Sequence, residues 1–228
     1  MKDLASLKKK AFDRWFIIEQ SKDKKVLEIG CINHSIDKLQ IQKDKGIWLF
    51  DYLHNHAAQA VGMDIDREAI SYTTKQGYDI RYGDANDFDL GEKFDVIVAS
   101  KLIDHLANFS GFLSSCQKHL APDGKIIIAD DNILCLPELI RWYFMKRFGE
   151  YDDDITFKPI PQYFANFIGR YDLAIKKTIY CIGTGNSRLL NIFRFLARIT
   201  PRCLIYPPLY YPYYILLLVD KNNQPPTA

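Results

Sequence analysis

The chain has 228 residues, 48% of them hydrophobic and 25% charged, with a formal net charge of +2. That length suits one α/β domain with its own core, and so balanced a charge gives no argument for nucleic acid, which is not expected as a partner. No apolar run approaches the roughly 20 residues that cross a bilayer. The early run Trp15-Phe16-Ile17-Ile18 is too short for a signal peptide, so a cytoplasmic protein is expected. Cys31, Cys116, Cys135, Cys181 and Cys203 are scattered and form no Cys-x-x-Cys pair. Reduced thiols are therefore expected, with neither a disulfide framework nor a zinc site.

Leu4, Leu7, Ala11, Trp15 and Ile18 recur at helical spacing, which predicts an amphipathic helix over 3–19. Lys25-Val26-Leu27-Glu28-Ile29-Gly30 reads as a buried strand that closes on an acid and a glycine. A helix from Ser35 to about Gln42 follows, capped by His34 or Ser35, and a second runs from Ile47 to Ala60. The next strand, 60–64, also ends in an acid, Asp64. Asp66 then caps a helix through Lys75, with Gly77 just past its end.

Tyr78 to Tyr82 is a short third strand, followed by the turn Gly83-Asp84-Ala85-Asn86-Asp87. Phe94 to Ala99 is the fourth strand, and 108–120 a helix. Ala121-Pro122-Asp123-Gly124 is expected as a turn, before a fifth strand from Lys125 to Ala129. Strands and helices alternating at this spacing predict an α/β, doubly wound, Rossmann-like sheet with helices on both faces.

Beyond Asn132 the rhythm changes. Residues 136–148 read as helical and aromatic, and Tyr151 to Pro161 as a loop. Residues 173–182 and 213–219 read as two further strands, with an Arg-bearing helix at about 187–199 between them. The segment 173–219 holds Lys176, Lys177, Arg188, Arg194, Arg198 and Arg202 but no acid. The basic amphipathic helix reads first as one packed on the sheet with its Arg face in solvent, and second as one lying on an anionic membrane surface, while Tyr206, Tyr210, Tyr211, Tyr213 and Tyr214 form an aromatic cluster that suits an acceptor pocket, sugar stacking or a lipid interface alike. The tail from Asn222 to Ala228 is expected to be disordered.

The ordered set strand–Glu28-Ile29-Gly30-Cys31, strand–Asp64, strand–Gly83-Asp84-Ala85, then Phe94-Asp95-Val96-Ile97-Val98 resembles the class I S-adenosylmethionine (SAM)-dependent methyltransferases. The resemblance covers 24–130 closely and the last two strands loosely. It implies a seven-stranded, mostly parallel sheet with an antiparallel last strand. It also implies one domain over 1–228, with a SAM-binding half at 24–130 and an acceptor-side half at 131–228 that carries a helical insertion. By the same resemblance, Gly30 and Cys31 approach the cofactor with their backbone, and Glu28 holds its amino-acid end. Asp64 accepts the ribose hydroxyls with Ile65 against the adenine. Asp84 and Ala85 form the adenine turn, and Ser100 contacts the methionine end. The family has more glycines after its first strand, where this chain has Ile32 and His34.

His105 is the candidate general base, since imidazole titrates near neutrality. Asp95 reads as structural. Asp130-Asp131-Asn132 is similar to the metal site of catechol-type O-methyltransferases, but Ser100 stands where they carry an acid, so no metal is expected. The implied reaction is methylation of an oxygen on a small-molecule, sugar or lipid-linked acceptor, with possible peripheral membrane contact. A non-catalytic SAM-fold binding module in an assembly complex is the alternative. A dinucleotide oxidoreductase wants Gly-x-Gly-x-x-Gly at the first turn, and this chain offers only Gly30 there.

Overall fold

The computed structural model describes residues 4, 7–8, 11–32, 35–136, 139–140, 143, 160–181, 211 and 213–220. The expected helix at 187–199, most of 136–148, His34, Tyr206, Tyr210, Cys203 and the tail lie outside the described residues.

Helix α1 (Phe12–Ser21) leads into β1 (Lys25–Ile29). Ala11 breaks the longer helix expected at 3–19, because its backbone (φ −148°, ψ 76°) is not helical. Helix α2 (Ile36–Asp44) starts at Ser35, whose hydroxyl accepts from the Lys38 N–H at 3.3 Å. Helix α3 (Leu49–His56) is shorter than expected, since Ala57 is already extended and β2 (Gln59–Asp64) begins soon after. Asp66 caps α4 (Arg67–Thr74), accepting from the Glu68 and Ala69 N–H groups at 3.0 Å each. Gly77 (φ 92°) closes that helix before β3 (Ile80–Tyr82).

After β4 (Phe94–Ser100) comes a 3₁₀ turn (Ile103–His105) and then α5 (Phe109–His119). The stretch expected as a turn, Ala121 to Gly124, lies within β5 (Leu120–Asp131). Leu120 already pairs with Phe94, and the register shifts before Val96 pairs with Lys125. Asp123 adopts a left-handed φ of 62°, so the extra residues form a bulge on the strand. Pro161, expected in a loop, instead opens α6 (Pro161–Ile168) at a position where its missing N–H costs nothing. A 3₁₀ turn (Gly169–Tyr171) leads to β6 (Leu173–Cys181), and β7 (Tyr213–Asp220) completes the sheet.

The strand order is β3-β2-β1-β4-β5-β7-β6, with β7 antiparallel to both neighbours and the other pairings parallel. This is the expected seven-stranded sheet. One face packs Leu27, Ile29, Ile97 and Ile128 against α5 and α6; the other packs Val26, Val96, Val98 and Ile127 against α1 and α3. Chain direction out of the sheet reverses between β1 and β4, so a crevice opens at the carboxyl ends of those strands. Tyr214 is 1% exposed on the α5/α6 face and belongs to the core, not to an interfacial belt. No helix among the described residues is long and apolar enough to cross a membrane.

Candidate functional site

A cavity of about 550 Å³ occupies that crevice. Strand alternation sends Glu28, like Val26, to the α1 face, and Glu28 is only 4% exposed. Its Oε2 is buried with no hydrogen-bond partner among the described residues. Burial pushes its carboxyl up to about 8; the Arg14 charge opposes that rise and the Asp64 charge adds to it. Arg14 reaches the same wall from α1, and its Nη1 is likewise buried without a partner. Burial lowers the guanidinium, with Asp13 and Glu28 acting against the shift. A carboxyl and a guanidinium with unspent hydrogen-bonding capacity in one crevice can receive the ammonium and carboxylate of an amino acid.

Gly30 turns the chain out of β1 with φ 70°, and a Cβ there would lie 2.9 Å from Leu102 Cδ1. The glycine therefore answers both a left-handed backbone and a close approach. Cys31 lines the cavity, but its sulfur packs over Gly62, where an added Cβ would come within 2.7 Å of it. Burial and the neighbouring acids push this thiol well above the usual range. The Trp48 indole donates to the Cys31 carbonyl at 2.7 Å and fixes the loop from below.

Asp64 is the most heavily engaged acid. Its Oδ2 accepts from the Ile32 N–H at 2.8 Å, and its Oδ1 from the Ile65 and Asp66 N–H groups at 2.8 and 3.1 Å. Burial raises its carboxyl despite those three donors. Most of its acceptor capacity is thus spent on joining the loops after β1 and β2, and little remains for two ligand hydroxyls. Ile65 stands 64% exposed at the cavity wall, a large apolar surface with room for a flat ring.

Gly83 and Ala85 line the cavity, whereas Asp84 is exposed and does not. Its Oδ1 accepts from the Asn86 N–H and side-chain amide at 2.9 and 2.8 Å. On the other side stand Ser100, Lys101, Leu102 and His105. Lys101 leaves β4 with φ 57°, a left-handed value that is uncommon outside glycine. Its ammonium pairs with Asp131 and sits 3.9 Å over the Tyr213 ring. Asn132 is tied to the Tyr211 carbonyl and the Leu134 N–H at 2.7 and 3.1 Å. Among the described residues no three His, Cys, Asp or Glu side chains are grouped to hold a metal.

Asp95 accepts from the Lys25 N–H at 2.9 Å, in keeping with a structural role. His54 packs edge-on to Tyr78, and His119 is buried between Ser115 and Leu90. Arg14, Trp48 and Gln42 also line the cavity, and no sequence motif marks them. Arg14 lies on a helix whose sequence signal is its apolar face, and nothing local signals that it shares a cavity wall with Glu28.

A sheet reversed between β1 and β4, with acids at two adjacent strand ends and a single glycine at the turn, has the architecture of nucleoside-binding α/β enzymes. A family model described as a methyltransferase domain matches residues 2–163. The chain belongs to the class I SAM-dependent methyltransferase family. It is 31% identical over 140 residues to a ubiquinone biosynthesis O-methyltransferase of Bartonella bacilliformis. That match takes in 57% of this chain and 51% of the relative, so the chain spans about half the length of the curated relative it matches. In fold it is similar to a SAM-dependent methyltransferase from Mesorhizobium loti, with a TM-score of 0.57 at 12% identity over 90% of this chain and 96% of that one. It is also similar to a glycopeptide N-methyltransferase, MtfA, complexed with sinefungin, with a TM-score of 0.55 at 14% identity over 92% and 93% of the two chains.

Proposed function

We propose that this chain transfers the methyl group of SAM to a hydroxyl oxygen of a small-molecule, sugar or lipid-linked acceptor. The observation that carries this reading is that two buried polar atoms without hydrogen-bond partners, Glu28 Oε2 and Arg14 Nη1, belong to residues of the wall that also holds Ile65 and His105. SAM fits that donor set. Arg14 would take its carboxylate and Glu28 its ammonium; the one remaining acceptor position of Asp64 would take a ribose hydroxyl. Ile65, Gly83 and Ala85 would hold the adenine, with Asp84 at the exposed rim. The backbone of Gly30 and Cys31 would follow the sugar, and Ser100 would lie near the methionine end.

Bound there, SAM supplies a methyl carbon already attached to a good leaving group. The protein's share is to align the acceptor and keep water out. A sugar or alcohol hydroxyl is a weak nucleophile and gains from a base, which His105 provides at the acceptor side. The ubiquinone O-methyltransferase relative favours oxygen as the acceptor atom.

The test is calorimetric titration with S-adenosylhomocysteine, followed by incubation with methyl-labelled SAM and fractionated polar, glycan and lipid extracts. Binding together with label in an O-methyl product is expected. His105→Ala should slow transfer by about 100-fold while S-adenosylhomocysteine affinity holds. A chain that does not bind the homocysteine product, or binds it and labels nothing, overturns the proposal.

A further inference from the structure

Helix α5 carries a polar stripe. Asn108, Gly111, Ser115 and His119 are spaced by three, four and four residues, so they line one side of the helix and its cap. Ser115 is 5% and His119 1% exposed, although neither residue type favours a helix interior. Polar groups buried at that cost call for partners. The partners all lie in one short segment, the loop that leaves β3 and carries Gly83 and Ala85 on the cavity wall.

The Asn108 N–H donates to Asn86 Oδ1 at 2.6 Å, and Asn108 Oδ1 accepts from the Gly111 N–H at 3.0 Å. Gly111 serves the same approach, because a Cβ there would collide with the Asn86 carbonyl oxygen. Ser115 Oγ accepts from the Phe88 N–H at 3.1 Å, and His119 Nε2 from the Leu90 N–H at 2.7 Å. Asn86, Phe88 and Leu90 are thus fastened in step along the helix. Apart from a bridge between Asp84 and Asp87, this loop has no strand neighbour, so α5 supplies bonds that a sheet would otherwise give.

We infer that this stripe positions the adenine turn, and that His119, which does not line the cavity, is its main positioning residue. The inference rests on the adenine role proposed above for Gly83 and Ala85. The tautomer of His119 follows from its partners. Nδ1 lies 2.7 Å from the Ser115 carbonyl, which can only accept, so Nδ1 carries hydrogen. The Leu90 N–H can only donate, so Nε2 meets it with a lone pair. Asp89 Oδ1 is 3.3 Å from the same nitrogen, but that carboxylate is exposed and pairs with the Lys118 ammonium. The Phe88 ring packs 4.9 Å from the imidazole and keeps it in place.

The test uses the full chain and needs no acceptor. In ¹⁵N-histidine-labelled protein, the His119 signals, identified by their loss in His119→Gln, should show hydrogen on Nδ1 and none on Nε2. His119→Leu keeps the bulk but accepts nothing. Leu90 amide exchange should quicken and adenosine affinity fall, each by about tenfold, the scale of one lost hydrogen bond. His119→Gln, whose side-chain carbonyl can accept at the reach of Nε2, should recover most of both. Hydrogen on Nε2 in the wild type overturns the inference. So does an adenosine affinity that His119→Leu leaves unchanged, or a Gln variant no better than the Leu variant. If His119→Leu does not fold, Ser115→Ala makes the same test with the Phe88 amide as its reporter. A wild type that binds no adenosine overturns the site reading itself, and a Leu90 amide that still answers to His119 tells that failure apart.

Discussion

Asp64 Oδ2 accepts from the Ile32 N–H at 2.8 Å, and this bond joins the loop that leaves β1 to the loop that leaves β2. The residue that the family resemblance marks for ribose is therefore also a brace for the walls of its own cavity. Asp64→Ala should lower thermal stability and weaken SAM binding together, each by about 1–3 kcal/mol, the scale of hydrogen bonds to a charged group. Thermal unfolding and calorimetry measure the two losses. A fall in affinity with an unchanged melting temperature would show that the brace contributes nothing.

Glu28 makes stability and ligand binding move in opposite directions with pH. Its carboxyl is raised in the folded chain from its usual 4.5 to about 8, mainly by burial. As pH rises through that window the unfolded chain loses this proton first, so the unliganded fold loses stability. An ammonium group brought by SAM favours the ionised form, so binding should release a proton and tighten across the same window. Calorimetry in buffers of different ionisation enthalpy detects the release, and Glu28→Gln should abolish it.

Arg14 should discriminate between ligands. Arg14→Ala is expected to weaken SAM by about tenfold or more, through loss of a charge-assisted pair. Methylthioadenosine, which lacks the amino-acid end, should bind wild type and variant alike. Equal losses for both ligands would place Arg14 in packing and not in carboxylate recognition.

Ile65 is exposed by 64%, so its truncation has little to disturb in the fold. Ile65→Ser should leave the melting temperature within about 1 °C, since exposed substitutions move stability little. It should nevertheless weaken adenosine-containing ligands, because the apolar face against the ring is lost. Fluorescence or calorimetric titration reads that loss.

Gly30→Ala tests the turn. The left-handed backbone (φ 70°) and the 2.9 Å approach to Leu102 both count against a Cβ. Destabilisation of about 1–2 kcal/mol is expected from the backbone alone. Denaturant unfolding measures it, and a neutral result would show that the loop has a second conformation open to alanine.

The sequence by itself determined the order of strands and helices, because the apolar runs Val26–Ile29, Val61–Met63, Val96–Ala99 and Ile126–Ala129 are buried on both faces and leave little ambiguity of period. It also marked Glu28, Gly30 and Asp64, since a strand end and a tight turn are local features. The bulge at Asp123 and the start of α6 at Pro161 were not legible in that way: each depends on which strand or helix the segment meets. The same holds for the site. Arg14 and Glu28 in one cavity wall, and Trp48 under Cys31, bring together residues far apart in the chain. Only the folded sheet with its covering helices removes the water that would otherwise separate and screen them, and that exclusion is what turns scattered side chains into one charged pocket.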